Sequence, residues 1–157
     1  MTVTTAFCNS FKNELLAMTP HVAADIFTLV LIKTGHAGTY NKSTLAVGTP
    51  GTGTPSTSNL GTDAVAISGT YSSVNGITLA GFAVSLDTDT AILTFTAPAA
   101  LTGTSISADG CIIYNSSRSN KACGVYAFAG APIVSTNGNF TITLPAAAAA
   151  TAVLRIA

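Results

Sequence analysis

Charge is what this sequence has least of. Lys, Arg, Asp and Glu make up only 8% of the 157 residues, against ~25% in an average soluble domain. The six cations cancel the six acids, and the cations at Lys12, Lys33, Lys42, Arg118, Lys121 and Arg155 are scattered, with only Arg118 and Lys121 close together. The basic stripe that neutralises phosphates in nucleic-acid binding is therefore missing. Tryptophan is absent and there are four tyrosines, Tyr40, Tyr71, Tyr114 and Tyr126, which leaves little material for aromatic platforms that stack on sugars. The three cysteines, Cys8, Cys111 and Cys123, are too few for a disulfide framework and too widely spaced for zinc. They are expected as buried, reduced thiols, with a Cys111–Cys123 cross-strand bridge as the open alternative. The longest apolar run, IFTLVLI at 26–32, falls far short of the ~20 residues of a membrane span. The start, MTVTTAFCNSFKNELL, lacks the basic n-region and apolar core of a secretory signal, so no export or membrane insertion is expected.

Catalytic signatures are missing as well. No Gly-x-Ser-x-Gly elbow occurs, and the glycines of GTPGTGT are not followed by Gly-Lys-Ser/Thr, so neither a hydrolase nucleophile nor a Walker loop is supported. His21 and His36 have no acid–base or metal constellation near them in sequence. Asp87 and Asp89 bracket a turn, but two carboxylates are thin for calcium and a solvated hairpin tip accounts for them. No catalytic, cofactor-binding or metal-binding residue is assigned, and the expectation is a non-enzyme without cofactors.

What is present is β pattern, over a length that suits a single domain, 1–157. One short helix is expected over 4–18: Phe7, Phe11 and Leu15 recur at i, i+4 and i+8, Thr4 or Thr5 can cap its start, and Pro20 closes it. Its apolar stripe needs either a sheet beneath it or a neighbouring subunit. Strands are then expected at 25–33, 64–68, 77–86, 90–96, 111–114, 122–128, 139–144 and 151–156, with turns at Asn75-Gly76, Asp87-Thr88-Asp89, Asp109-Gly110 and Asn137-Gly138. Many short strands at close spacing indicate an all-β domain over 25–157, an antiparallel sandwich or barrel, of which the sandwich is the reading adopted. Residues 38–62, rich in Gly, Thr, Pro and Ser with little to bury, read as a long loop or arm, either mobile or ordered by a partner.

A surface covered mostly by Thr, Ser, Asn, Gly and Ala repels other proteins weakly, which suits an assembly subunit; a secreted β-protein with a Thr-rich skin is the plainer alternative. The polar gap NSSRSNK at 115–121 between the apolar runs CIIY and ACGVYAF could hold an anion, but a hairpin tip explains it more simply.

The segments AFCNSFKNELL, DIFTLVLIKTG, GCIIYNSSRSNKACGVYAFAG and STNGNFTITLP…AVLRIA, in that order, resemble a family of small tailed-bacteriophage virion proteins. Members carry a similar FC-SFK-EL start, a G-LIYN-S-NRAV middle and an ILRI-like end. The likeness spans most of the chain but is weak in 38–62, and YAFAG stands where an acidic DFG is expected. The resemblance implies a structural role on the particle, most simply a capsid cement or decoration protein that binds the outer face of the head and stabilises it. It also implies a jelly-roll-like sandwich, a homo-oligomer (trimer rather than dimer), the major capsid protein as partner, and a virion location after assembly in the bacterial cytoplasm. A tail or neck component is the alternative, and a carbohydrate-binding β-sandwich module a third. The expected interface residues are Phe7, Phe11 and Leu15 on the helix stripe, with Arg118 and Lys121 at the hairpin tip meeting a neighbouring subunit. Nucleic acid and membrane are not expected partners.

Overall fold

A computed structural model describes residues 1–156. Among them the chain is mainly β, with eight strands and one short helix. The elements are β1 (Ala6–Phe7), α1 (Asn9–Leu16), β2 (Phe27–Lys33), β3 (Ile77–Asp87), β4 (Thr90–Thr96), β5 (Leu101–Asn115), β6 (Lys121–Ala127), β7 (Ile133–Phe140) and β8 (Leu154–Ile156). All strand pairings are antiparallel, in the path β1-β6-β5-β2-β3-β4-β8. β7 continues alongside the first half of β5 on the edge that β6 occupies further on, since Ala108 pairs β2 on one side and Ile133 of β7 on the other. The sheet curls until it is almost a barrel, open between its edge strands β1 and β8.

β2 is the centre of this arrangement. Phe27 to Ile32 are all buried, because a strand flanked by β5 and β3 and covered on both faces has no polar side. The curl is made by a bulge in β3, whose register against β4 shifts between Ala80 and Ala83. Gly81 lies there at φ +68°, where a Cβ would run into the Thr96 hydroxyl, so only glycine fits. The bend turns Phe82 inward, onto Phe27 (5.1 Å between ring centres) and Phe95 (5.9 Å), offset contacts that stabilise a core beyond the area buried.

Several expectations shift. The helix begins at Asn9 rather than residue 4, because the preceding residues are drawn into the sheet: Ala6 and Phe7 pair with Val125 and Gly124. Thr5 does not cap the helix; its hydroxyl accepts the Ala127 N–H (3.0 Å). The helix closes before Pro20, with Met18 at φ +55°, Met18 N–H bonded to Leu15 O (3.2 Å) and Thr19 N–H to Glu14 O (2.9 Å). This is a Schellman closure with methionine where glycine is usual.

Residues 64–68 make isolated bridges instead of a strand. Asp109-Gly110 lies within β5 rather than in a turn; its glycine lets β6 approach, since a Cβ would strike Tyr126 O. Asn137-Gly138 is likewise inside β7, where the register slips and Asn137 takes φ +46°. The expected strand 139–144 enters the sheet only at its first two residues, as the end of β7, and 151–156 is reduced to β8.

Segment 38–62 packs on its own chain. Tyr40, Val47 and Leu60 are fully buried, Val47 N–H bonds Asn120 O (2.9 Å), and Ala122 N–H bonds Leu45 O (3.0 Å). Asn59 ties the segment internally: Oδ1 accepts from Thr49 N–H, and Nδ2 donates to the Thr52 and Thr54 carbonyls. A few well-placed apolar residues and one asparagine order a stretch whose composition alone suggests none.

Candidate interaction surface

The polar tip is a hairpin. Asn115 pairs with Lys121 across a five-residue connection in which Ser119 and Asn120 take positive φ. Its polar side chains are engaged from within the chain, by the loop that follows α1. Asp25 Oδ2 accepts from Asn115 Nδ2 (2.9 Å), Val22 N–H (3.2 Å) and Arg118 Nε (3.3 Å). The second Asn115 N–H points at His21 Nδ1 (3.1 Å), and His21 Nε2 lies 3.1 Å from Glu14 Oε2. That pattern suits a neutral imidazole carrying its proton on Nε2. Glu14 Oε1 takes Lys121 Nζ at 2.6 Å. The donors, Asn115 first, hold Asp25 below the usual carboxylate range. Asn115 is fully buried and its Oδ1 has no donor.

Helix, loop and hairpin are thus joined by one polar clasp, Lys121–Glu14–His21–Asn115–Asp25–Arg118. Arg118 and Lys121, expected to meet a neighbouring subunit, are each paired with a carboxylate of their own chain. Sequence reading gave Glu14 no role, took Asn115 as part of the hairpin tip and found no constellation around His21. The available signal was the cations themselves: in a chain with so few charges, adjacent cations need carboxylate partners from elsewhere in the fold.

Beside α1 lies an apolar groove of about 410 Å³, in the opening of the curled sheet. Phe7, Phe11 and Leu15 all line it, brought together by β1 and α1 although only two of the three are helical. Phe11 is buried, Phe7 half-buried, and Leu15 sits at the rim. The opposite wall comes from Phe82 and Val84 of β3, Ile92 of β4, and Leu154 and Ile156 of β8. Around it, Leu16 is 86% exposed, Leu86 70% and Val84 62%. Contiguous exposed apolar surface of this kind marks contact sites, and β8 adds an edge of only three residues, paired on one side to β4. Lys12 and Arg155 are the lysine and arginine of the groove; among the described residues Arg155 donates only to the carbonyls of Ala149 and Ala150.

Elsewhere the chemistry is structural. Asp63 accepts from Ala37 N–H (2.9 Å), Gly38 N–H (2.7 Å) and Tyr40 Oη (2.7 Å). Burial pushes its carboxyl up, but these donors outweigh it and the net shift is downward. All three cysteines are free and buried, and Cys111 faces Tyr126 across the ladder, not Cys123. Burial raises the Cys8 and Cys111 thiols to about 12. Tyr40, Tyr71 and Tyr114 are buried, with Tyr126 half-buried and donating to Val153 O (2.7 Å) across the gap between the sheet's edges. Among the described residues no three His, Cys, Asp or Glu side chains converge as metal ligands, and no helix is long and apolar enough to cross a membrane. Compared with family models, with curated proteins and with solved structures, the chain matches none.

Proposed function

We propose that this chain is a structural subunit of a bacteriophage virion, a cement or decoration protein that binds the outer capsid surface and stabilises the head. In this reading it acts as a homo-oligomer, a trimer in preference to a dimer, with the major capsid protein as its partner and no enzymatic activity. The halves of the curled sheet, β1, β6, β5, β2 and β7 against β3, β4 and β8, act as the two layers of a jelly-roll-like sandwich.

The observation that carries the proposal is the apolar groove between α1 and β8, open on a surface almost without charge. A subunit with that surface gains affinity by multivalency: several modest apolar contacts per oligomer add into strong attachment to a repeating lattice. The resemblance in the Phe7–Leu16 and Cys111–Phe128 segments supports the same role.

The test is to strip the protein from purified heads and heat them. Heads lacking it should release DNA at a lower temperature and regain resistance when the protein is added back; unchanged heat resistance overturns the cement role. A particle reconstruction separates this from a tail or neck component, by copies spread over the head face rather than gathered at one vertex.

A further inference from the structure

The groove has a complement on the same chain. β3 and β4 join through Thr88-Asp89, with Asp87 paired to Thr90 and Thr88 at φ +59°. On β3, Phe82, Val84 and Leu86 alternate onto one face: Phe82 and Val84 line the groove and Leu86, beyond it toward the tip, is 70% exposed. Asp87 is held by the Ala149 N–H (2.6 Å), which fixes the tip. Asp89 is exposed and, among the described residues, makes no hydrogen bond or ion pair, whereas Glu14, Asp25, Asp63 and Asp109 are all engaged. The groove carries the opposite charge. Among the described residues, Lys12 has no carboxylate partner, Arg155 bonds only to carbonyls, and no carboxylate lines the groove.

We infer that the groove receives the β3–β4 hairpin tip of a second copy of this chain, with Leu86 seated on the apolar lining and Asp89 meeting Lys12 and Arg155. The tip cannot reach its own groove, because Val84 and Ile92 of the same hairpin form that groove's wall. Each copy therefore gives one tip and receives one, a head-to-tail contact that makes a ring where its rotation closes and a filament where it does not; the closed ring is the form inferred. The inference rests on the assembly reading above and names the contact that builds the oligomer. Complementary charge sets register and partner choice while apolar burial supplies most of the affinity.

The experiment is sedimentation equilibrium of the full chain at 1 to ~100 µM. The wild type should associate. Leu86→Ser should weaken association by at least about tenfold, since it removes the apolar anchor, and leave the far-ultraviolet spectrum unchanged because Leu86 supports little of the core. Asp89→Lys should weaken it by several-fold, Lys12→Glu likewise, and the combined Asp89→Lys, Lys12→Glu chain should recover part of the loss, as a reversed pair does. A wild type that stays monomeric, or association indifferent to both Leu86→Ser and Asp89→Lys, overturns the contact; so does a combined variant no better than the worse single one. A monomer that still coats heads refutes the ring and leaves the cement role standing. A ring that ignores heads does the reverse.

Discussion

Replacing Asp25 by alanine should cost about 1–4 kcal/mol of folding stability, and the figure follows from the three donors that converge on one oxygen. Asn115 is fully buried, and its N–H toward Asp25 loses its acceptor; an orphaned buried donor costs ~1–3 kcal/mol. The Arg118 guanidinium is one-third exposed, so solvent screening holds its share below about 1 kcal/mol. Val22 N–H is exposed and contributes little, since water can replace the carboxylate. For a domain of this size each kcal/mol moves the melting temperature by roughly 2–4 °C, so Asp25→Ala should melt about 2–15 °C below the wild type. Arg118→Ala should lower it by no more than a few degrees.

The pH dependence has a definite sign. Asp25 is held below its unfolded value, so its contribution is fully present above the unfolded carboxylate pKa of ~3.9 and disappears as pH falls through the lower folded value. Asp25→Asn should flatten the acid limb of stability against pH, leaving the part due to Asp63, which is shifted in the same direction. Thermal melts from pH 7 to pH 2 check both statements. If Asp25→Ala costs under about 1 kcal/mol, or Asp25→Asn leaves the acid limb unchanged, the clasp is not what ties the post-helix loop to the hairpin.

Two further outcomes follow from burial and backbone geometry. Gly76 lies at φ +98°, where a Cβ would run into the Leu29 carbonyl of the central strand, so Gly76→Ala should cost more than about 3 kcal/mol in urea unfolding. Gly35 has φ +72° but open space around it, so Gly35→Ala should cost only about 1 kcal/mol; equal costs would show that strain in φ, not the approach to β2, decides both. With the Cys8 and Cys111 thiols raised to about 12 and Cys123 also raised by burial, a thiol reagent at pH 8 should titrate none of them in the folded chain and all three in denaturant. Rapid reaction of the native protein would contradict that burial.

The β2 run was readable because a strand covered on both faces must be almost wholly apolar, and FTLVLI is, Thr28 being its one polar residue. The Asp87–Thr90 and Asn115–Lys121 connections were readable because short runs of Asp, Asn and Ser between apolar segments mark turns, although in the first it is the β-branched Thr88 that takes positive φ. The same reasoning misled at Asp109-Gly110 and Asn137-Gly138. A glycine that makes room for a neighbouring strand, or an asparagine that forms a bulge, has the same local sequence as a turn; the difference lies in which strand arrives beside it. The first half of β5, LTGTSISA, carries too few large apolar residues to announce a strand, and pairing with β7 and β2 makes it one. The Phe7/Phe11/Leu15 stripe was visible as a pattern, but its partners Phe82, Val84, Leu154 and Ile156 come from two other strands, β3 and β8. No spacing rule could join them, because the bulge at Gly81 that brings β3 round is a tertiary event.

The distribution of charge connects the clasp to the groove. Glu14, Asp25, Arg118 and Lys121 all hold α1 and its following loop against the β5–β6 hairpin, and Asp63 fastens the turn at Ala37 and Gly38. These groups orient loops that apolar packing alone would leave loose, since residues 17–26 bring mostly exposed side chains apart from the His21 ring, which is buried against Phe11. The clasp fixes the helix, and clasp and groove meet at His21, which lines the groove and packs on Phe11 at 4.7 Å. Leu15 and Leu16 can therefore stay exposed without folding inward, because the helix that carries them is anchored by polar contacts rather than by burial of every apolar residue. On this reasoning the clasp supports the proposed contact surface by holding α1 and His21 in place. Asp25→Ala should weaken self-association through a loosened helix, whereas Leu86→Ser should weaken it with the melting temperature of the monomer unchanged. A chain in which both substitutions reduce association and melting temperature in the same proportion would place the groove inside the folding core rather than at a contact surface.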